Sequence, residues 1–235
     1  DKMIEYLRKC PQGKPFFGYL AFTAPHDPLQ IIPEWKDREK GTYDCGYDSI
    51  RSARLERQKQ MGLIPAQTPD TRLSNPNIQW NKLSKEQQKE QSRKMEIYAS
   101  MIEYVDYSIG RVLEELEKEH KLDNTLVLFM SDNGANPKEP ESYPGNTKEI
   151  IQERYDNQLE NYGNSNSFIS LGEAWAEVCN TPYSLYKMTT HEGGICVPLI
   201  ISGKNIIQKG SIDHTTLLHV TDLFPTILEY THTQR

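Results

Sequence analysis

Apolar residues recur at Met95, Tyr98, Met101, Ile102, Val105, Ile109, Val112, Leu113 and Leu116, the three-and-four spacing of a single helical face. Just ahead of them, Ser84-Lys85-Glu86-Gln87 has the form of a capping box, in which the Ser and Gln side chains each satisfy the other's backbone N–H. One long amphipathic helix is therefore predicted, ending near residues 120–124. The apolar run 125–130 follows after a short connection and predicts a strand, the helix-to-strand rhythm of an α/β sheet. Two more apolar runs read as buried strands. Residues 16–22 are closed by the proline-stiffened loop Thr23-Ala24-Pro25-His26-Asp27-Pro28, and residues 197–203 carry Pro198 near the start, where a missing N–H is tolerated. A terminal helix is predicted over residues 222–230 from the capping Asp222 and the early Pro225.

Between these runs the chain is polar. Residues 31–81, broken by Pro33, Gly41, Gly46, Gly62, Pro65, Pro69 and Pro76, read as an excursion over the surface. Residues 136–186 read as a second irregular region whose Tyr155, Tyr162, Phe168 and Trp175 pack or line a pocket. The hydrophobic fraction of 36% and the mean hydropathy of −0.71 agree with long loops around a real core of one large domain or two small ones. With 27 basic against 33 acidic residues and no basic, aromatic-interleaved segment, nucleic acid is excluded as a partner. No apolar run approaches the roughly 20 residues of a membrane span, and the first residues lack a signal-peptide pattern. Cys10, Cys45, Cys179 and Cys196 form no C-x-x-C pair, so neither a zinc knuckle nor a disulfide framework is indicated. Compartment and oligomeric state stay open.

Candidate chemistry sits at the ends of the apolar runs. Ser131-Asp132-Asn133-Gly134 closes the 125–130 strand, where open α/β sheets usually place ligands. Asp132 and Asn133 are hard oxygen donors suited to calcium or magnesium; the same four residues are also an ordinary tight-turn sequence, since Asn and Gly tolerate φ > 0. His26, at the end of the 16–22 run, is a proton donor or anion contact, or a loop histidine bonded to backbone. Lys187 precedes His191-Glu192-Gly193-Gly194 and is either a clamp for an anion or a solvated lysine. His214 and His219 lack a third metal ligand and read as surface residues.

Taken in order, residues 16–26, 124–134 and 187–198 together resemble the formylglycine-dependent sulfatases of the alkaline phosphatase superfamily. Residues 98–116 and 220–228 match that family as well, and residues 154–187 resemble its calcium-dependent arylsulfatase branch. The resemblance implies an alkaline-phosphatase-like α/β sandwich with a mostly parallel central sheet flanked by helices, here incomplete. It implies hydrolysis of a small-molecule sulfate ester, with Asp132 and Asn133 as Ca2+ ligands and His26 and Lys187 as catalytic residues contacting the sulfate. A phosphatase or phosphonate/phosphodiester hydrolase of the same superfamily, or a non-catalytic binding protein, are the alternatives.

The family makes its formylglycine nucleophile from Cys/Ser-x-Pro-Ser-Arg, ahead of the Ala-Pro-His segment, and completes its calcium site with an earlier Asp-Asp pair. Neither occurs here; Cys10-Pro11-Gln12-Gly13-Lys14 does not fit, and Cys196-Val197-Pro198 lacks the Arg and follows the Glu-Gly-Gly turn, where the family usually has Arg in place of Cys196. Residues 1–235 are thus expected to be the later portion of a sulfatase catalytic domain, with the N-terminal catalytic segment and the small C-terminal subdomain outside it. The remaining calcium ligands and the nucleophile are expected elsewhere, leaving the isolated chain inactive and weak in calcium binding.

Overall fold

The computed structural model describes residues 1–233 apart from 12, 72, 205, 207 and 208. Its elements are α1 (Lys2–Lys9), α2 (Tyr47–Gln60), α3 (Lys85–Lys118), β1 (Val127–Met130), α4 (Lys148–Arg154), α5 (Glu173–Cys179), α6 (Glu192–Ile195), β2 (Leu199–Ser202) and α7 (Leu223–Tyr230). α3 is the helix that the apolar spacing predicts. Its capping box is closed, with the Gln87 N–H donating to Ser84 Oγ at 3.2 Å and the Ser84 N–H donating to Gln87 Oε1 at 2.8 Å.

Two cores flank α3. Met95 joins Tyr43, Tyr47, Leu171, Trp175 and Val178 in the first, where fully buried Trp175 meets the Tyr47 ring edge-on at 4.7 Å and donates its Nε1–H to the Gln91 carbonyl at 2.8 Å. Ile97 and Met101 join Leu29, Tyr162 and Ile169 in the second. Packing is therefore the role of Tyr162 and Trp175; Tyr155 and Phe168 pack edge to face at 5.3 Å.

The two intervals read as irregular hold helices. α2 buries Tyr47, Arg51 and Leu55, one residue per turn, so the middle of its inner face is a guanidinium and the apolar period disappears. Arg51 is 2% exposed and spends its donors on carbonyls: Thr71 at 2.8 Å, Pro182 at 2.9 Å, and Glu177 and Tyr183 at 3.2 Å. α5, buried nearly throughout, lies in the second interval and packs on α2.

β1 and β2 pair antiparallel, Val127 opposite Ser202 and Met130 opposite Leu199, and are the only strands among the described residues. The expected burial of the apolar runs is not met. Phe129, Ile200 and Ile201 are exposed, and residues 16–22 form no ladder, with Phe17 78% and Tyr19 80% exposed. A strand buried on both faces needs neighbours on both edges and layers on both sides. Among the described residues, each of these strands has one neighbour and residues 16–22 have none. The α/β class holds, with its sheet reduced to one pair. No helix among the described residues is long and apolar enough to cross a membrane.

Candidate functional site

The segment after β1 is held against the glycine turn of α6. Ser131 Oγ donates to the Asn133 carbonyl at 2.9 Å, and the Gly134 N–H donates to the Gly194 carbonyl at 3.0 Å. Gly134 is not in the left-handed region, so the positive-φ turn is not why glycine stands there. A Cβ at Gly134 would strike the Gly193 carbonyl oxygen, and one at Gly193 would strike the carbonyls of Ser184 and Leu185. The glycines allow two backbones to touch. Beside that contact, the Asp132 carboxylate is exposed, and the Asn133 amide nitrogen bonds to the Gly134 carbonyl at 3.1 Å, leaving Asn133 Oδ1 available.

Lys187 is fastened to the same segment by its N–H, which donates to the Ala135 carbonyl at 3.1 Å. Asn180 ties the two a second time: its Oδ1 accepts from the Ala135 N–H at 3.0 Å and its Nδ2 donates to the Leu185 carbonyl at 2.9 Å. The buried Glu177 carboxylate accepts from the Leu185 N–H at 3.1 Å and from Ser74 Oγ at 2.5 Å, while Arg51 holds the carbonyls of Pro182 and Tyr183. Such bracing sustains Leu185 at φ 64° and Met188 at φ 74°, left-handed conformations that cost a side-chain-bearing residue energy and cluster at functional sites. The half-buried Lys187 has no carboxylate partner among the described residues.

His26 stands on a loop pinned to the second core. The Leu29 N–H donates to the Ile169 carbonyl at 3.0 Å and the Ile31 N–H to the Gly163 carbonyl at 2.9 Å. The imidazole Nδ1 lies 2.8 Å from the Asp27 carbonyl and 3.0 Å from Asp27 Oδ1. Asp27, whose side chain is 2% exposed, also accepts from Asn136 Nδ2 at 2.7 Å, Tyr143 Oη at 2.8 Å and Ser170 Oγ at 2.5 Å. Burial, and then the bond to Asp27, push the Tyr143 phenol well above its ordinary ionisation range.

The segments that carry Lys187 and His26 are thus both bonded to residues 132–136. Asp132 and Asn133 lie at one end, Ala135 carries Lys187, and Asn136 reaches the carboxylate beside His26. Asp27, Asn136, Tyr143 and Asn180 are parts of this arrangement that sequence patterns miss; only Asp27, directly after His26, had a local signal. His219 lies apart, its Nδ1 on Thr221 at 2.9 Å, and exposed Cys196 stands beside Tyr183, whose phenol it pushes up to about 12.

Asp132 and Asn133 fit a hard cation in kind, each with an oxygen free of protein donors. They do not fit it in number, and no group of three or more His, Cys, Asp or Glu among the described residues could hold a metal ion.

Comparison with known proteins places the chain in a family. The Sulfatase family profile matches residues 1–233. The chain is 40% identical over 230 residues to an arylsulfatase of Klebsiella aerogenes, with 97% of this chain and 49% of the relative aligned. It is likewise 40% identical to an uncharacterized sulfatase of Schizosaccharomyces pombe, of which it covers 41%. It therefore spans about half the length of the curated relatives it matches or less. The solved structures of Ps i-CgsB, alone and in complex with k-i-k-neocarrahexaose, superpose with a TM-score of 0.53 at 22% identity, covering all of this chain and 33% of theirs. By profile and by identity over nearly its whole length, the chain belongs to the sulfatase family.

Proposed function

We propose that the protein carrying this chain hydrolyses sulfate monoesters to an alcohol or phenol and sulfate, and that this chain supplies the cationic and leaving-group side of the site. The observation that carries the reading is that one five-residue segment, which holds Asp132 and Asn133, is bonded both to the Lys187 backbone and to the carboxylate of Asp27 beside His26. In this reading, the Lys187 ammonium, left without a carboxylate partner, takes the non-bridging sulfuryl oxygens and offsets the charge that gathers on them as the ester bond breaks. His26 offers Nε2 to the bridging oxygen and protonates the departing alcohol. Asp132 and Asn133 contribute oxygens to a calcium ion, which when bound acts as a Lewis acid on the sulfuryl oxygens. None of the four cysteines stands in the family's Cys/Ser-x-Pro-Ser-Arg context, so the formylglycine nucleophile is assigned to no residue of this chain.

The test is steady-state kinetics of the full protein on 4-nitrophenyl sulfate and 4-nitrophenyl phosphate. The sulfate ester is expected to be the better substrate. Lys187→Ala is expected to lower kcat by roughly two to three orders of magnitude, the loss typical of one transition-state donor. Unchanged kinetics in Lys187→Ala, or a preference for the phosphate ester, would overturn the assignment.

A further inference from the structure

We infer that Asp27 is a positioning residue: a buried, fully braced carboxylate that fixes the tautomer and the direction of the His26 ring so that Nε2 faces the leaving oxygen. The inference rests on the reading of His26 as the proton donor. Its geometric basis is that both atoms next to Nδ1, the Asp27 carbonyl oxygen at 2.8 Å and Oδ1 at 3.0 Å, are acceptors. A ring nitrogen between two acceptors carries the hydrogen whatever the charge of the ring. Neutral His26 is thus the Nδ1–H tautomer with its Nε2 lone pair outward, and protonated His26 presents Nε2–H at the same point.

One carbonyl would suffice to select the tautomer; the carboxylate adds direction. The His26 side chain is 39% exposed, whereas the Asp27 side chain is 2% exposed and is gripped by three residues from two distant parts of the chain. Asn136 donates one N–H to Asp27 Oδ1 and another to Tyr143 Oη at 2.6 Å, Tyr143 donates on to Oδ1, and Ser170 closes Oδ2. Every donor in this ring of bonds is used. Tyr143 also lies beside the imidazole, ring centroids 6.3 Å apart, and the Lys138 ammonium sits 5.2 Å from the same phenol ring. Asp27 is the carboxylate facing the imidazole, and its Oδ1 accepts the Nδ1–H both before and after the Nε2 proton is given up.

The proton transfer matches this arrangement. As the S–O bond to the alcohol breaks, its electron pair stays on the alcohol oxygen, the sulfuryl group passes to the attacking oxygen nucleophile, and the Nε2–H proton moves to the alcohol oxygen. The ring is left as the Nδ1–H tautomer that Asp27 already holds, so no rearrangement follows the transfer.

The experiment uses the full protein, with 4-nitrophenyl sulfate as a good leaving group and phenyl sulfate as a poor one, together with ¹⁵N NMR of the His26 ring. Asp27→Asn is expected to lower kcat on phenyl sulfate roughly ten- to a hundredfold, to affect 4-nitrophenyl sulfate much less, to leave KM within about twofold, and, since the Asp27 backbone carbonyl remains, to keep the neutral ring as the Nδ1–H tautomer. His26→Ala is expected to show the same leaving-group dependence with a larger loss. Ser170→Ala, which removes one brace and keeps the carboxylate, is expected to show it with a smaller loss and serves if Asp27→Asn does not fold. Leaving-group dependence in His26→Ala with none in either Asp27→Asn or Ser170→Ala would refute the role of Asp27. Its absence in His26→Ala would instead refute the reading of His26. An Nε2–H tautomer in the unmodified protein would overturn the geometric premise.

Discussion

Replacing Asn180 by Ala removes the clip between the Asp132-Asn133 segment and the Lys187 loop. Two hydrogen bonds go, from Ala135 N–H at 3.0 Å and to the Leu185 carbonyl at 2.9 Å, and their orientation is unambiguous because one partner can only donate and the other only accept. A typical net bond contributes about 1 kcal/mol. Both abandoned backbone groups are half-buried, so water replaces part of what is lost, and the total is about 2 kcal/mol. For a domain of this size that corresponds to a Tm lower by roughly 4–8 °C. Stability is only half of the expectation. Leu185 sits at φ 64° and loses one of the restraints that keep it there, so the Lys187 ammonium shifts relative to the Asp132 carboxylate. A misplacement of an ångström in a charge-stabilised site costs up to about a hundredfold in rate. The assay is thermal unfolding of the full protein, followed by kcat on 4-nitrophenyl sulfate at a temperature where the variant is fully folded. Asn180→Asp keeps the acceptor for Ala135 and sets a carboxylate oxygen against the Leu185 carbonyl, so it is not expected to rescue either property. A Tm within about 1 °C and an unchanged kcat in Asn180→Ala would show that the two segments are registered by something other than this side chain.

Gly134→Ala places a Cβ on the Gly193 carbonyl oxygen, and Gly193 cannot retreat because the Ser184 and Leu185 carbonyls stand behind it. A loss of about 1–3 kcal/mol is expected in urea unfolding, and an unchanged midpoint would mean the two backbones do not touch. Arg8 on α1 grips Glu115 on α3 through Nε at 2.6 Å and Nη2 at 2.8 Å and thereby holds its carboxyl below the ordinary range. A depressed carboxyl stabilises the fold above its unfolded pKa and ceases to do so as pH falls through the folded value. The stability gap between the unmodified protein and Arg8→Gln is thus expected near pH 7 and closes in acid; a gap that persists unchanged below about pH 3 would contradict it.

How much of this was legible in the sequence varies by element, for physical reasons. α3 was readable because its cap and its buried face both use the residue types that local rules describe. α2 was not, because the middle of its three buried residues is Arg51, whose burial is made tolerable by carbonyls from residues up to 132 positions away. The apolar runs 125–130 and 197–203 correctly marked β1 and β2, yet apolarity alone does not state what covers a strand: β2 lies largely exposed and β1 is only partly covered. At the site, Asp132, Asn133, His26 and Lys187 could be picked out by type and resemblance. Asn180 could not, since both of its bonds run to backbone atoms and any segment could have supplied those. Gly134 was visible, but for the wrong reason: its role is close approach rather than a left-handed turn.

The placement of the candidate site follows from the two cores rather than from the loops that carry it. His26 hangs from the second core through Leu29 and the bonds of residues 29–31 to residues 163–169. Lys187 hangs from the first core through α5, whose Glu177 and the following Asn180 restrain residues 181–187. Both cores share α3, which gives Met95 to the first and Ile97 and Met101 to the second. The separation of the histidine from the lysine is therefore set by a single rigid helix that contributes no residue to the chemistry. The segment 132–136 then joins the two halves through a side-chain bond from Asn136 to Asp27, a backbone bond between Ala135 and Lys187, and the bond from the Ala135 N–H to the Asn180 side chain. A volume change at Ile97 acts on the His26 half and one at Met95 on the Lys187 half, so damage to either face of α3 reaches the site as a change in the spacing of these two residues.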